Sequence, residues 1–174
     1  EYAVVDLILG AEKQGGDGSL LHYNAPYKTF PAALQEKLMA YCHAGGNLFV
    51  SGAFIASDMQ GNDTDRQFIR DLLHFDYGGT VTDLSDENIS GSGLHLPIAR
   101  RVNEERYAVS RPDILVPLDD AFVSFIFDDC KESAGVAYAG DGYRVLSTSF
   151  PFETVKNSAL RAKLMGAVMR FLLN

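Results

Sequence analysis

The hydrophobic positions of this chain come in runs that switch between strand and helix periodicity. Val4 to Leu9 is an apolar run broken only by Asp6 and closed by Gly10, the pattern of a strand covered on both faces. The segment from Gly10 to Lys28 is rich in Gly, Asp and Ser and carries Tyr23 and Tyr27. It reads as a long loop, and long loops in compact domains are usually binding or mobile ones. A helix is then expected from about Thr29, with Pro31 in its first turn and Leu34, Leu38 and Tyr41 or Cys42 at helical spacing, ended by Gly45-Gly46. Asn47 to Ser51 is the next strand. Asn62, Asp63 or Thr64 caps a helix with Phe68, Ile69, Leu72 and Leu73 on one face. Between Phe75 and Pro117, glycines and prolines interrupt every period, leaving short strands, turns and a short helix near Val102. Three strands follow: Ala121 to Phe127, Gly135 to Ala139 and Tyr143 to Ser149. The last two flank Gly140-Asp141-Gly142, a hairpin signal. A final helix starts at Asn157 or Ser158 and carries Leu160, Leu164, Val168, Phe171 and Leu172 as a stripe.

Strand, helix, strand, helix, then a β-rich tail and a packing helix is the order of an α/β domain with a parallel core and an antiparallel extension. The 174 residues suit one domain. Fifteen basic against 23 acidic residues leave a net charge of −8, which repels nucleic acid and anionic membrane surfaces alike. No apolar run approaches the roughly 18 residues of a membrane span. The two cysteines, Cys42 and Cys130, have neither disulfide-scaffold nor zinc spacing. No signal peptide is visible, and because the chain opens directly on a strand-like run, Glu1 reads as a processing site or a junction within a longer protein.

The pieces "VVDLILG", "LQEKLMAYCHAGGNLFVSGAF" and "YRVLSTSFPFETV" together resemble the class I glutamine amidotransferase-like superfamily, and more closely the amidotransferase-like domains of secreted Bacteroides proteins labelled xanthan lyases. The resemblance covers most of the chain except its middle. It implies a flavodoxin-like three-layer sandwich with a mainly parallel sheet, in which "VVDLILG" is not the usual first strand. The sheet edge that strand would cover is then left open. It also implies export to the periplasm, the cell surface or the medium, and other domains of a parent protein as partners.

In that superfamily the strand after the "GG" helix ends in an elbow, G-x-C-x-G, whose cysteine attacks the substrate beside oxyanion-stabilising N–H groups. Ser51 stands at the cysteine's place, with Phe49 and Ala53 replacing the glycines. The histidine that would activate the nucleophile comes from F-H-P-E on a later strand. Here that stretch reads "SFPFE", so Glu153 matches the orienting acid and Pro151 occupies the histidine's place. A serine without a base is a weak nucleophile. His22 and His95, in loops by this reading, are the histidines that can replace the missing one; His43 and His74 lie near helix ends.

Asp58, Asn62, Asp63 and Asp65 crowd oxygen ligands together but miss the EF-hand spacing, and helix capping accounts for Asp63 and Asp65, so no metal or cofactor is expected. Tyr23, Tyr27 and Asp58 are the candidates for ligand contact, at the carboxyl ends of parallel strands where open α/β sheets bind ligands and where an aromatic ring can stack on a sugar. Three readings follow: a non-catalytic scaffold or carbohydrate-related binding module of a polysaccharide-processing protein; a hydrolase using Ser51 with a displaced histidine; and an interaction module docking through an open sheet edge.

Overall fold

The computed structural model describes residues 2–14, 27–82, 88–99, 109 and 111–174. Tyr23, His22 and the short helix expected near Val102 lie outside the described residues.

The strand runs become β1 (Val4–Gly10), β2 (Asn47–Gly52), β3 (Phe75–Thr80), β4 (Asn88–Gly91), β5 (Leu94–Pro97), β6 (Asp113–Pro117), β7 (Phe122–Phe127), β8 (Ser133–Ala139) and β9 (Arg144–Thr148). The helices are α1 (Ala32–His43), α2 (Asp63–Leu72) and α3 (Ser158–Leu173). Seven strands form one mixed sheet in the order β1-β2-β9-β8-β7-β4-β5, while β3 and β6 pair as a separate antiparallel ribbon packed against β8. The parallel core and the antiparallel extension are both present: β1, β2 and β9 run parallel, and β8, β7, β4 and β5 continue the sheet antiparallel. The extension is the longer part.

Side chains on β2 explain the layering. Leu48 and Val50 point to one face and join Leu38 and Cys42 of α1 and Phe68 and Ile69 of α2 in one buried cluster. Phe49 points to the other and meets Leu146 of β9 with Leu164, Val168 and Leu172 of α3 in a second cluster. Helices therefore cover both faces, which is why the middle of β2, Leu48-Phe49-Val50, is apolar at successive positions. Each fully buried Phe or Leu in these clusters contributes about 1.5–3 kcal/mol.

Helix starts show local chemistry at work. Asn62 caps α2, its side-chain oxygen accepting the Asp65 N–H at 2.9 Å, and Asn157 caps α3 by accepting the Ala159 N–H at 2.8 Å. At α1 the cap is Pro31, without a side-chain bond, and the helix begins at Ala32. Thr29 does not cap it, because its N–H and hydroxyl are engaged elsewhere.

Candidate functional site

Ser51 lies within β2 and not beyond its tip. It is paired in register with Ile8 of β1 and Thr148 of β9, and is 0% exposed. Its hydroxyl has no hydrogen-bond partner among the described residues. A nucleophile elbow holds the serine out at a sharp, exposed turn; here the strand continues through Gly52 and the turn begins two residues later, at Ala53. Gly52 makes it possible, because a Cβ there would stand 2.9 Å from Leu9 Cβ and 3.0 Å from Ile55 Cγ2. Pro151 begins the turn that carries Phe152 and Glu153, and the Phe152 ring packs edge-on against Phe49 at 6.3 Å. Glu153 is half-buried there; its charge, after partial burial, helps to raise the pKa of Asp6 on β1.

None of the described histidines serves Ser51. His43 is exposed at the end of α1, and His74, in the turn between α2 and β3, bonds through Nε2 to the Tyr143 hydroxyl at 2.9 Å. His95 is in β5, five strand spacings from β2 along the sheet, about 24 Å. The pleat also turns it away: Leu94 and Leu96 join the cluster that contains Phe49, so His95 between them faces opposite to that cluster. The reading of His95 as the displaced base is corrected by this placement.

Another serine, histidine and aspartate do meet, across β4, β5 and the end of β7. Ser90 Oγ lies 2.9 Å from His95 Nδ1 and donates to Asp128 Oδ2 at 3.0 Å, and His95 Nδ1 is 3.2 Å from the same carboxylate oxygen. A catalytic relay puts serine and acid on opposite ring nitrogens. Here both sit at Nδ1, so the group staples three strands together and does not activate a nucleophile.

The carboxyl edge of β1 and β2 is built around a residue the sequence reading missed. Asp113, the first residue of β6, is 0% exposed. Its Oδ2 accepts the N–H groups of Ala56 and Ser57 at 2.9 and 2.7 Å, while its own N–H donates to Ala53 O at 2.9 Å. Oδ1 is buried without a partner among the described residues. Burial pushes the carboxyl pKa up to about 6, against the Ser57 and Ala56 donors and the Lys13 charge, which favour the ionised form. Asp113 thus holds the whole loop after β2 by its backbone. Lys13 Nζ donates to Ser57 Oγ at 3.1 Å, and its ammonium lies 5.1 Å from the Phe54 ring centre.

Asp58, expected to touch a ligand, is occupied by the backbone instead. It accepts the Gln14 N–H at 2.9 Å and the Thr29 N–H at 2.7 Å, and the Thr29 hydroxyl donates to Glu12 O at 2.9 Å. One carboxylate therefore ties the two ends of the long first loop. Tyr27, two residues before Thr29, is 68% exposed. The oxygen-rich stretch after β2 disperses: Asp65 is buried and pairs with Lys28, Gln35 and Asn62, whereas the Asp63 carboxylate is in solvent beside Arg66. Those partners hold the Asp65 carboxyl pKa below its usual range despite burial. On these loops Lys13 and Ser57 bring a cation and a hydroxyl together and Tyr27 carries an exposed aromatic ring. The signal for Asp113 was present only as an acid opening an apolar strand, "PDILVP".

No family model matches the chain, and no curated protein does. Its likeness is to solved structures. The cytoplasmic protein STM1381 from Salmonella typhimurium LT2 superposes with a TM-score of 0.57 at 10% identity over 98% of this chain and 72% of that one. The mmIFT52 N-terminal domain gives a TM-score of 0.51 at 12% identity over 83% of this chain and 72% of that one. The chain spans 22% of the length of the exo-beta-1,4-mannosidase Op5Man5 from Opitutaceae bacterium strain TAV5, with a TM-score of 0.48 and 9% identity. At such identities the first two likenesses establish a shared α/β fold and nothing about chemistry.

Proposed function

We propose that this chain is a non-catalytic module on a flavodoxin-like, amidotransferase-like plan, serving as a scaffold or carbohydrate-related binding domain of a larger exported bacterial polysaccharide-processing protein. The observation that carries the reading is the state of Ser51: inside a central strand, fully buried, its hydroxyl without a partner among the described residues, with Pro151 where the resemblance calls for a histidine. A hydroxyl buried in a central strand, with no base beside it among the described residues, is a poor nucleophile. Binding falls to the loops at the carboxyl edge, where Tyr27 presents an open ring and Lys13 with Ser57 a polar pair.

The test is treatment of the folded protein with a fluorophosphonate, followed by peptide mapping. No adduct is expected on Ser51. An adduct there, absent from Ser51→Ala, overturns the reading and restores a hydrolase. The second reading, docking through the sheet edge, draws support from β1, which pairs only with β2 among the described strands and leaves Ile8 49% exposed.

A further inference from the structure

α1 and α2 lie side by side on one face of the sheet, joined at one end by the Phe30 and Phe68 rings, 5.1 Å apart, and by Gln35 Nε2 donating to Asp65 Oδ1 at 2.8 Å. Beyond that junction a groove of about 450 Å³ opens between the helices. Met39 and Phe68 give it an apolar floor, Gln35 and Gln67 its polar flanks, and Asp63 and Asp71 stand on its α2 side. Among the described residues no lysine, arginine or histidine lines it. The neighbouring cations of α2 are both engaged: Arg66 bonds Asp63 and reaches away to Gln60 O at 2.6 Å, and Arg70 pairs with Asp76, while Asp71 also accepts from Gln67 Nε2.

The spacing of the two carboxylates is specific. Asp63 and Asp71 are eight residues apart on one helix, about 12 Å along its axis, with Phe68 between them. The Asp63 side chain is 98% exposed, and Asp71 is exposed as well. A helix laid in the groove with basic residues at i and i+8 and an apolar residue at i+4 would match all three points, because those positions share one helical face.

We propose that the α1–α2 groove is a docking site for a basic amphipathic segment of a partner protein, which sets an apolar side chain on Met39 and Phe68 and two cations against Asp63 and Asp71. Charge complementarity selects this occupant: the charged residues lining the groove are acidic, on a chain whose net charge of −8 draws basic partners in. The inference concerns a face distinct from the carboxyl edge and does not depend on the function proposed there.

The experiment titrates the whole chain into a fluorescein-labelled helical peptide with Lys at i and i+8 and Leu at i+4, read by anisotropy at low and high salt. Saturable, salt-sensitive binding is expected. The Asp63→Asn/Asp71→Asn double variant should weaken it about tenfold, the order expected for two exposed charge contacts. Glu12→Lys and Glu132→Lys, exposed changes elsewhere, should have much smaller effects. Peptides with Glu for Lys or Ser for Leu should bind several-fold less. Absent binding overturns the proposal, as does equal loss in the remote variants, which would mark a diffuse charge effect. Self-association abolished by the double variant overturns it too, assigning the groove to a second copy of the chain.

Discussion

Replacing Asp113 by asparagine tests the account of the carboxyl edge most directly. In the native protein this carboxyl has its pKa raised from 3.8 to about 6, so it binds its proton more tightly folded than unfolded. A raised carboxyl contributes stability that is fully present below the unfolded pKa and is lost as pH rises through the folded one. The difference of about 2.2 pH units, at 1.36 kcal/mol each, makes the ionised group cost the fold about 3 kcal/mol above pH 6 relative to acid. The amide introduced by Asp113→Asn cannot ionise. Its oxygen can keep the Ala56 and Ser57 N–H bonds, while its nitrogen enters the position where Oδ1 has no partner among the described residues. That exchange adds a constant offset of either sign, so the pH dependence is the informative quantity. Urea unfolding of both proteins, followed by circular dichroism between about pH 4 and pH 7, should show the variant gaining roughly 2–2.5 kcal/mol on the parent as pH rises. A difference that stays flat, or moves the other way, would refute the buried, ionising role of Asp113.

Gly91→Ala should destabilise by about 3 kcal/mol or more, because its Cβ would lie 2.1 Å from Ser124 O and 2.7 Å from Phe125 Cα, backbone atoms that cannot turn aside; a thermal melt unchanged from the parent would contradict the β4–β7 pairing. Asp58→Ala removes the acceptor of two backbone N–H groups and should cost about 1–3 kcal/mol, with faster amide exchange at Gln14 and Thr29 as the readout. Thiol titration with an aromatic disulfide should modify exposed Cys130 in the native protein and reach Cys42 only after unfolding, since burial pushes the Cys42 thiol up to about 12; two rapidly reacting thiols would show the α1 face to be open.

Local signals in the sequence carried far, and long-range pairings did not. The hairpin at Gly140-Asp141-Gly142 and the starts of α2 and α3 were legible because the residues that decide them are neighbours, with Asn62 and Asn157 each the first of the capping residues the sequence offered. The region from Phe75 to Pro117 was not, because β3 finds its partner in β6 from Asp113 to Pro117 and β4 finds its second one in β7. Asp113 could not be recognised for the same reason: the N–H groups it accepts lie 56 and 57 residues away. Asp58 was placed at the right edge, but whether a carboxylate there faces a ligand or a backbone N–H depends on Gln14 and Thr29, each far off in sequence. That Pro151 stands where the resemblance expects a histidine needed only the sequence. That His95 stands far along the sheet from Ser51 needed the strand order and the pleat.

The join between β2 and β9 also dictates the timing of assembly. Leu48 pairs with Val145 and Ser51 with Thr148, so the strand at the heart of the parallel core finds its second neighbour almost a hundred residues later in the chain. The hairpins β4–β5 and β8–β9 need only short loops to close and can form within microseconds. Closing the long loop between β2 and β9 carries a larger entropic cost and belongs late in folding. On the ribosome, β1, α1 and β2 emerge well before β9 has been made. Until then β2, one of the most completely buried strands of the finished molecule, stands with one side unpaired, an exposed edge of the kind that favours aggregation.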